Sequence, residues 1–250
     1  MTGGTTYHRA DGGGFLPRRA MVLAAGLGLR FRPVTEAYPK PLVEVAGRAL
    51  IDWALDGLDA AGVGEAVVNT HYLGEMIARH LARRTEPRII LSIEERLLDT
   101  GGGINKALPL LGAEPFFAVN SDIAWRDGAH PALGRLAETW DEATTDALLL
   151  IHPVESASGY DGAGDYNIDG GGALTRRRDG DSARFVFTGI QILHPRLFTN
   201  APIGAFPLVR MFDQAQAAGR LFGVVHDGEW FHVGTEEGLA AADSGLGAGP

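Results

Sequence analysis

Cysteine is absent from all 250 residues. Its absence excludes disulfides, zinc sites built on thiolates and any thiol nucleophile, and leaves the chain indifferent to redox compartment. Long apolar runs are missing too: none approaches the roughly 20 residues that a membrane-spanning helix needs. Residues 1–19 are polar and glycine-rich without an apolar h-region, so no signal peptide is expected. Positive charge is scarce, with 22 Lys and Arg against 31 Asp and Glu and a formal net charge of −9. Nucleic-acid backbones and anionic lipid surfaces are held by clustered cations, so neither is an expected partner, whereas a small anion needs only a local cluster. A cytoplasmic protein is expected, with flexible tails over residues 1–19 and 243–250.

Glycine is plentiful, at 35 residues, and hydrophobic residues make up 45% of the chain, enough for one large α/β domain or two small ones. The glycines gather in the opening up to Gly14 and in a Gly-, Asp- and Arg-rich stretch from 159 to 180, which reads as loops or hairpin turns. Strands are expected at 20–25, 66–69, 89–93, 116–119 and 147–151, each a short apolar run. Helices are expected at 50–61, where Ile51, Leu55, Leu58 and Ala61 share a face before Gly62, at 73–81, where Leu73, Ile77 and Leu81 align, from Ile104 after three consecutive glycines, and at 131–140. Helices between successive strands imply crossover connections. The expected fold is therefore α/β, a three-layer domain over residues 20–242 with a mostly parallel twisted sheet covered on both faces. Residues 160–192, where Phe185 and Phe187 flank Val186, read as a small antiparallel insertion. Ligands of parallel sheets gather at the carboxyl ends of strands, where Gly26, Asn69, Glu94 and Asp122 all fall.

Residues 23–42 read LAAGLGLRFRPVTEAYPKPL. Gly26 and Gly28 let backbone amides approach an anion with no Cβ in the way, and Arg30 and Lys40 bring positive charge from the side, as phosphoryl chemistry requires. Two glycines alone suit dehydrogenases, kinases and plain turns alike. The dinucleotide fingerprint wants a third glycine where Phe31 stands, and no Gly-Lys-Ser/Thr follows to make a P-loop. The full string G-x-G-x-R-x-x-P-x-T-x-x-x-P-K-P is far more restrictive.

That string resembles the signature of the sugar-1-phosphate nucleotidyltransferases, which join a nucleoside triphosphate to a sugar 1-phosphate and release pyrophosphate. The likeness runs from about Arg19 to Ala242 and implies the Rossmann-like nucleotidyltransferase fold, residues 20–125 holding nucleotide and 126–242 the sugar phosphate. It implies that Ala24, Ala25, Gly26, Gly28 and Arg30 embrace the triphosphate and that Lys40 lies near the reacting phosphates. The glycines Gly101 and Gly102 of Thr100-Gly-Gly-Gly, with Glu94 as a further candidate, would then contact the nucleobase side, and Asn69 is a further nucleotide-binding candidate. Asp122 ends its strand where an N-cap is the commoner role in an arbitrary chain; in the family that aspartate holds Mg²⁺, and a hard cation suits carboxylate oxygen. Arg30, Lys40 and Asp122 are the catalytic candidates.

Residues 230–235 resemble the family's Trp-x-Asp-x-Gly-Thr element, with His232 in place of the aspartate. Imidazole is a poor ligand for Mg²⁺. Four readings stay open: Asp122 alone with waters and phosphates, His232 binding through water, Asp227 substituting, or a purely structural His232. Asp165, Thr188 and Gly189 match acceptor-side positions of the family. The length and the strings PKPLVEVAGRALI, Leu98-Asp99-Thr100-Gly-Gly-Gly and Ala163-Gly164-Asp165-Tyr166 look most like the branch that uses UTP and N-acetylmuramate 1-phosphate. Mannose-1-phosphate guanylyl transfer and hexose-1-phosphate uridylyl or thymidylyl transfer are the alternatives, and the His232 departure motivates a non-catalytic nucleotide-sugar sensor. A monomer or homodimer is expected.

Overall fold

The computed structural model describes residues 15–247; the expectations for residues 1–14 and 248–250 lie outside the described residues. Eleven strands organise the domain: β1 Arg19–Leu23, β2 Glu65–Thr70, β3 Arg88–Ile93, β4 Phe116–Asn120, β5 Ile123–Arg126, β6 Ala147–Pro153, β7 Tyr166–Ile168, β8 Leu174–Arg176, β9 Phe185–Leu193, β10 Leu221–Val225 and β11 Glu229–His232. Six α-helices of eight residues or more accompany them: α1 Leu50–Ala60, α2 Gly74–Leu81, α3 Asp99–Leu111, α4 Ala132–Thr139, α5 Val209–Ala217 and α6 Glu236–Gly247. A short ribbon, Glu44–Val45 with Arg48–Ala49, precedes α1.

Nine strands form one sheet in the order β8-β7-β9-β4-β1-β2-β3, with β6 bonded to β9 and β10 to β6. The pairs β1–β2, β2–β3, β1–β4 and β6–β10 are parallel. β9 runs antiparallel between β4 and β6, and β7 and β8 make an antiparallel hairpin, as the expected insertion requires. After β3 the chain returns to the other side of β1 to lay down β4. The crevice outside the carboxyl ends of β1 and β4 is thus the point where strand order reverses, where α/β sheets take ligands.

The central strands read as continuous apolar runs because both of their faces are covered. Ala20, Val22, Ala66, Val68, Phe117 and Val119 point into a core closed by α1, α2 and α4 through Leu55, Leu58, Ile77 and Leu136. Met21, Val67, Phe116 and Ala118 point the other way, onto Ile104, Ala107 and Leu111 of α3 and Met211 and Phe212 of α5. Each such buried Leu, Ile, Met or Phe contributes about 1.5–3 kcal/mol of transfer free energy. A third cluster joins Phe31, Val43, Phe231, Val233, Ala242 and Leu246, so α6 props the glycine turn against β11.

Three boundaries differ from expectation. Helix α3 begins at Asp99 instead of Ile104, so its glycines lie inside the first turns. Phe15 stands 6.0 Å from Trp140 and Leu16 packs on the first core, so the described part of the expected tail lies on the domain. α6 runs to Gly247 with Leu246 buried, past the expected end at 242, because its apolar side completes the third cluster. No helix among the described residues is long and apolar enough to cross a membrane.

Candidate active site

β1 ends at Leu23, and the chain leaves the sheet over the ends of its neighbours. Ala24 N donates to Asn69 Oδ1 (2.8 Å), Asn69 Nδ2 donates to Glu94 Oε1 (2.7 Å), and Leu98 N donates to Glu94 Oε2 (2.9 Å). Asn69 and Glu94 are both buried, and this chain of bonds satisfies groups that would otherwise be costly to bury. A Cβ at Gly103 would lie 2.8 Å from both Asn69 Nδ2 and Glu94 Oε1, so the third glycine of the run serves this floor. Gly28 sits at φ 63°, and its carbonyl accepts from Phe31 N (2.9 Å) and Thr35 Oγ1 (2.7 Å), which fixes the turn. At Gly26, by contrast, a Cβ would meet nothing within 4 Å.

These elements enclose a cavity of about 700 Å³ lined by Ala24, Ala25, Gly26, Gly28, Arg30, Lys40, Asn69, Glu94 and Asp122. Lys40, only 9% exposed, places Nζ 2.8 Å from Asp122 Oδ2. A buried ammonium demands such a partner. The second oxygen of Asp122, Oδ1, has no hydrogen bond among the described residues, and the side chain is 31% exposed to the cavity. Burial works against ionisation of Asp122, but the Lys40 ammonium and its hydrogen bond, helped by His232 and Arg30, outweigh it and hold the carboxyl below its ordinary range. Arg30 stands exposed at the rim with no ion pair among the described residues.

His232 ends β11 opposite Ile123, one residue from Asp122, and Val233 N donates to the Asp122 carbonyl (3.3 Å). Its ring stacks on Trp230, with centroids 5.9 Å apart. Burial pushes the imidazole down; Asp122 resists, while Lys40 and Arg30 add to the push.

A second cavity of about 290 Å³ adjoins the first, sharing Leu23, Thr100 and Asn120 with it and reaching Asp165, Tyr166 and Arg177. Asp165 Oδ2 accepts from Phe187 N (2.9 Å), and burial pushes its carboxyl up against the opposing pull of that bond and of Arg177. Thr188 and Gly189 do not line this cavity. Thr188 is fully buried, with Oγ1 donating to Leu150 O (2.8 Å) and its carbonyl accepting from Trp230 Nε1 (2.9 Å). Gly189, at φ 86° in the bulge of β9, is where a Cβ would come within 2.8 Å of Asn120 Nδ2. Both shape the wall from behind.

Gly101 and Gly102 also face elsewhere than expected. Both amides donate to Phe206 O, at 3.0 and 3.1 Å, and a Cβ on Gly101 would enter the Phe206 side chain. Leu97, Asp99, Thr100 and Ala205 reach the cavity in their place. Asp227 accepts from Arg135 Nη1 (2.8 Å) at the far end of the β5–β11 ribbon from Asp122, so it cannot stand in for the missing aspartate. Asn120, directly before Ser121-Asp122, and Thr100, the first residue of the glycine string, line both cavities although the sequence assigns neither a role.

Residues 19–167 match the family described as Nucleotidyl transferase. The chain belongs to this family. It is 41% identical over 235 residues to N-acetylmuramate alpha-1-phosphate uridylyltransferase of Caulobacter vibrioides, covering 92% of this chain and 97% of the relative. It is 33% identical to the protein of the same name from Neisseria meningitidis, over 92% and 99% of the two chains. Among solved structures, HddC from Yersinia pseudotuberculosis complexed with GMP-PN superposes with a TM-score of 0.74 at 20% identity, over 92% of this chain and 99% of that one, which speaks to the fold alone.

Nucleotidyl transferases act on polyanions, and the donor set here bears on which cation the cleft accepts. Among the described residues no group of three or more His, Asp or Glu side chains could hold a metal by themselves. The free Oδ1 of Asp122 is one hard oxygen, and His232 offers only ring nitrogen. Such a set fits Mg²⁺, which commonly takes one or two carboxylates and completes its shell with substrate phosphates and water.

Proposed function

We propose that this nucleotidyl transferase moves UMP from UTP to N-acetylmuramate 1-phosphate and releases pyrophosphate, a step of peptidoglycan recycling. The reading is carried by the likeness to the two muramate uridylyltransferases, which extends over nearly their whole length and so includes both cavities. The larger cavity takes UTP and the smaller takes the sugar, with the acceptor phosphate at the Asn120 seam between them.

An oxygen of the sugar phosphate attacks the α-phosphorus of UTP in line, a new P–O bond forms, and the bond to the β-phosphate oxygen breaks. No side-chain nucleophile is needed. The chain's work is to hold two mutually repelling anions in register and to stabilise the charge that builds on the departing pyrophosphate. Backbone amides at Gly26 and Gly28 cradle the triphosphate, Arg30 takes oxygen pairs with its planar fork, and Lys40 brings a point charge while it orients Asp122. Asp122, through Oδ1, would hold Mg²⁺, which would neutralise phosphate charge when bound.

A pyrophosphate-release panel crossing the four NTPs with N-acetylmuramate, glucose and mannose 1-phosphates tests this. UTP with N-acetylmuramate 1-phosphate should give the highest kcat/KM. A faster reaction of GTP with mannose 1-phosphate would overturn the assignment, and UTP binding without turnover on any acceptor would indicate a sensor.

A further inference from the structure

Two adjacent arginines line the smaller cavity with different kinds of partner. Arg176 is clamped by Asp213, Nε to Oδ1 at 2.7 Å and Nη2 to Oδ2 at 3.0 Å, so its fork and its charge are both matched. Arg177 donates Nε to Gly164 O (2.6 Å) and Nη1 to Asp181 O (3.2 Å), two uncharged backbone carbonyls. Among the described residues it has no ion-pair partner, and Nη2 carries no hydrogen bond. A half-buried guanidinium held in one orientation by neutral acceptors is ready for an anion: its side-chain entropy is already lost, and although its field reaches Asp165, none of its N–H groups is spent on a carboxylate.

That anion is not the acceptor's phosphate. The phosphate must reach the seam beside Asp122, and the residues common to the two cavities are Leu23, Thr100 and Asn120. Arg177 lines only the smaller cavity, away from the reacting atoms. A second negative group on the sugar would match it, and N-acetylmuramate has one: the carboxylate of its lactyl ether, which N-acetylglucosamine lacks. Asp165 and Asp179 share this wall, but Asp165 Oδ2 is already held by the Phe187 amide and Asp179 is exposed at the rim.

We propose that Arg177 is the specificity-determining residue of the acceptor site, binding the lactyl carboxylate and so separating N-acetylmuramate 1-phosphate from neutral amino-sugar phosphates. This deepens the reading under Proposed function and rests on it. The test is the ratio of kcat/KM for N-acetylmuramate 1-phosphate over N-acetylglucosamine 1-phosphate, with UTP and the full chain. In Arg177→Ala that ratio should fall about 10- to 100-fold, the usual worth of a hydrogen bond to a charged group, and Arg177→Lys should restore part of it. Because Arg177 also ties the carbonyls of Gly164 and Asp181, a second arm leaves the protein untouched. The wild-type enzyme given the methyl ester of N-acetylmuramate 1-phosphate should lose as much preference as Arg177→Ala does with the free acid. An equal loss on both sugars, or an ester used as well as the acid, would overturn the proposal. A wild-type enzyme inactive on the muramate substrate but active on another sugar phosphate would sink the underlying reading, and this inference with it.

Discussion

Gly26 and Gly28 stand two residues apart and are glycine for different reasons. Gly28 is demanded by the fold, since its φ of 63° is strained for other residues and a Cβ would sit 2.8 Å from Thr35 Cγ2. Gly28→Ala should therefore lower stability by about 1–2 kcal/mol in urea titration. Gly26 has open space around it, so Gly26→Ala should melt within about 0.5 kcal/mol of wild type yet bind UTP more weakly by calorimetry. Unchanged UTP affinity in that variant would move the triphosphate away from this turn. Lys40 and Asp122 form the other residue-scale unit. Lys40→Ala or Asp122→Asn should each cost about 10²–10³ in kcat/KM. Because each leaves its partner stranded, the double variant should lose clearly less than the product of the two. Strict multiplicativity would show that the 2.8 Å pair is not a working unit.

The elements from β1 to α2 follow their periodicity closely, because local burial on one helix face or both strand faces decides them. The α3 start departs from it. Three consecutive glycines argue for a loop by propensity, but the residue 204–206 segment lies so close that side chains are excluded and the Phe206 carbonyl takes two amides of the first turn. Gly101→Ala should thus destabilise by about 1–3 kcal/mol through overpacking against Phe206, seen as a lowered urea midpoint. An unaltered midpoint would mean that the 204–206 segment moves aside at little cost. The bulge of β9 is of the same kind: Thr188-Gly189 reads as a binding dipeptide in sequence, but it is a bend that makes room for Asn120.

At the scale of the whole molecule, histidines buried neutral set the acid side of stability. Burial pushes both His152 and His226 below the ordinary 6.5, and weaker backbone hydrogen bonds only partly oppose it. The unfolded chain takes up protons below pH 6.5 that these rings refuse in the fold, so stability is full above that point and falls as pH drops below it. Asp165, displaced upward, offsets part of this at lower pH. Urea midpoints should hold down to about pH 6.5 and decline between there and about pH 5.5, and H152L/H226L should decline less; a flat wild-type profile would refute the account. Metal dependence should be confined to chemistry. EDTA should abolish turnover, and Mg²⁺ should restore it, without a shift in Tm, because one protein carboxylate contributes little folding energy through a metal. By itself the sequence determined the alternation of elements, the glycine turn with its two cations, and the placing of Asn69, Glu94 and Asp122 at strand ends, since these depend on short-range periodicity and on residue chemistry within one segment. Only the tertiary structure decided that Lys40 meets Asp122 across 82 residues, that Gly101 and Gly102 face Phe206, and that Asp227 lies at the wrong end of its ribbon. Which side chains meet is set by how separate elements bury their faces together, and no local pattern carries that information.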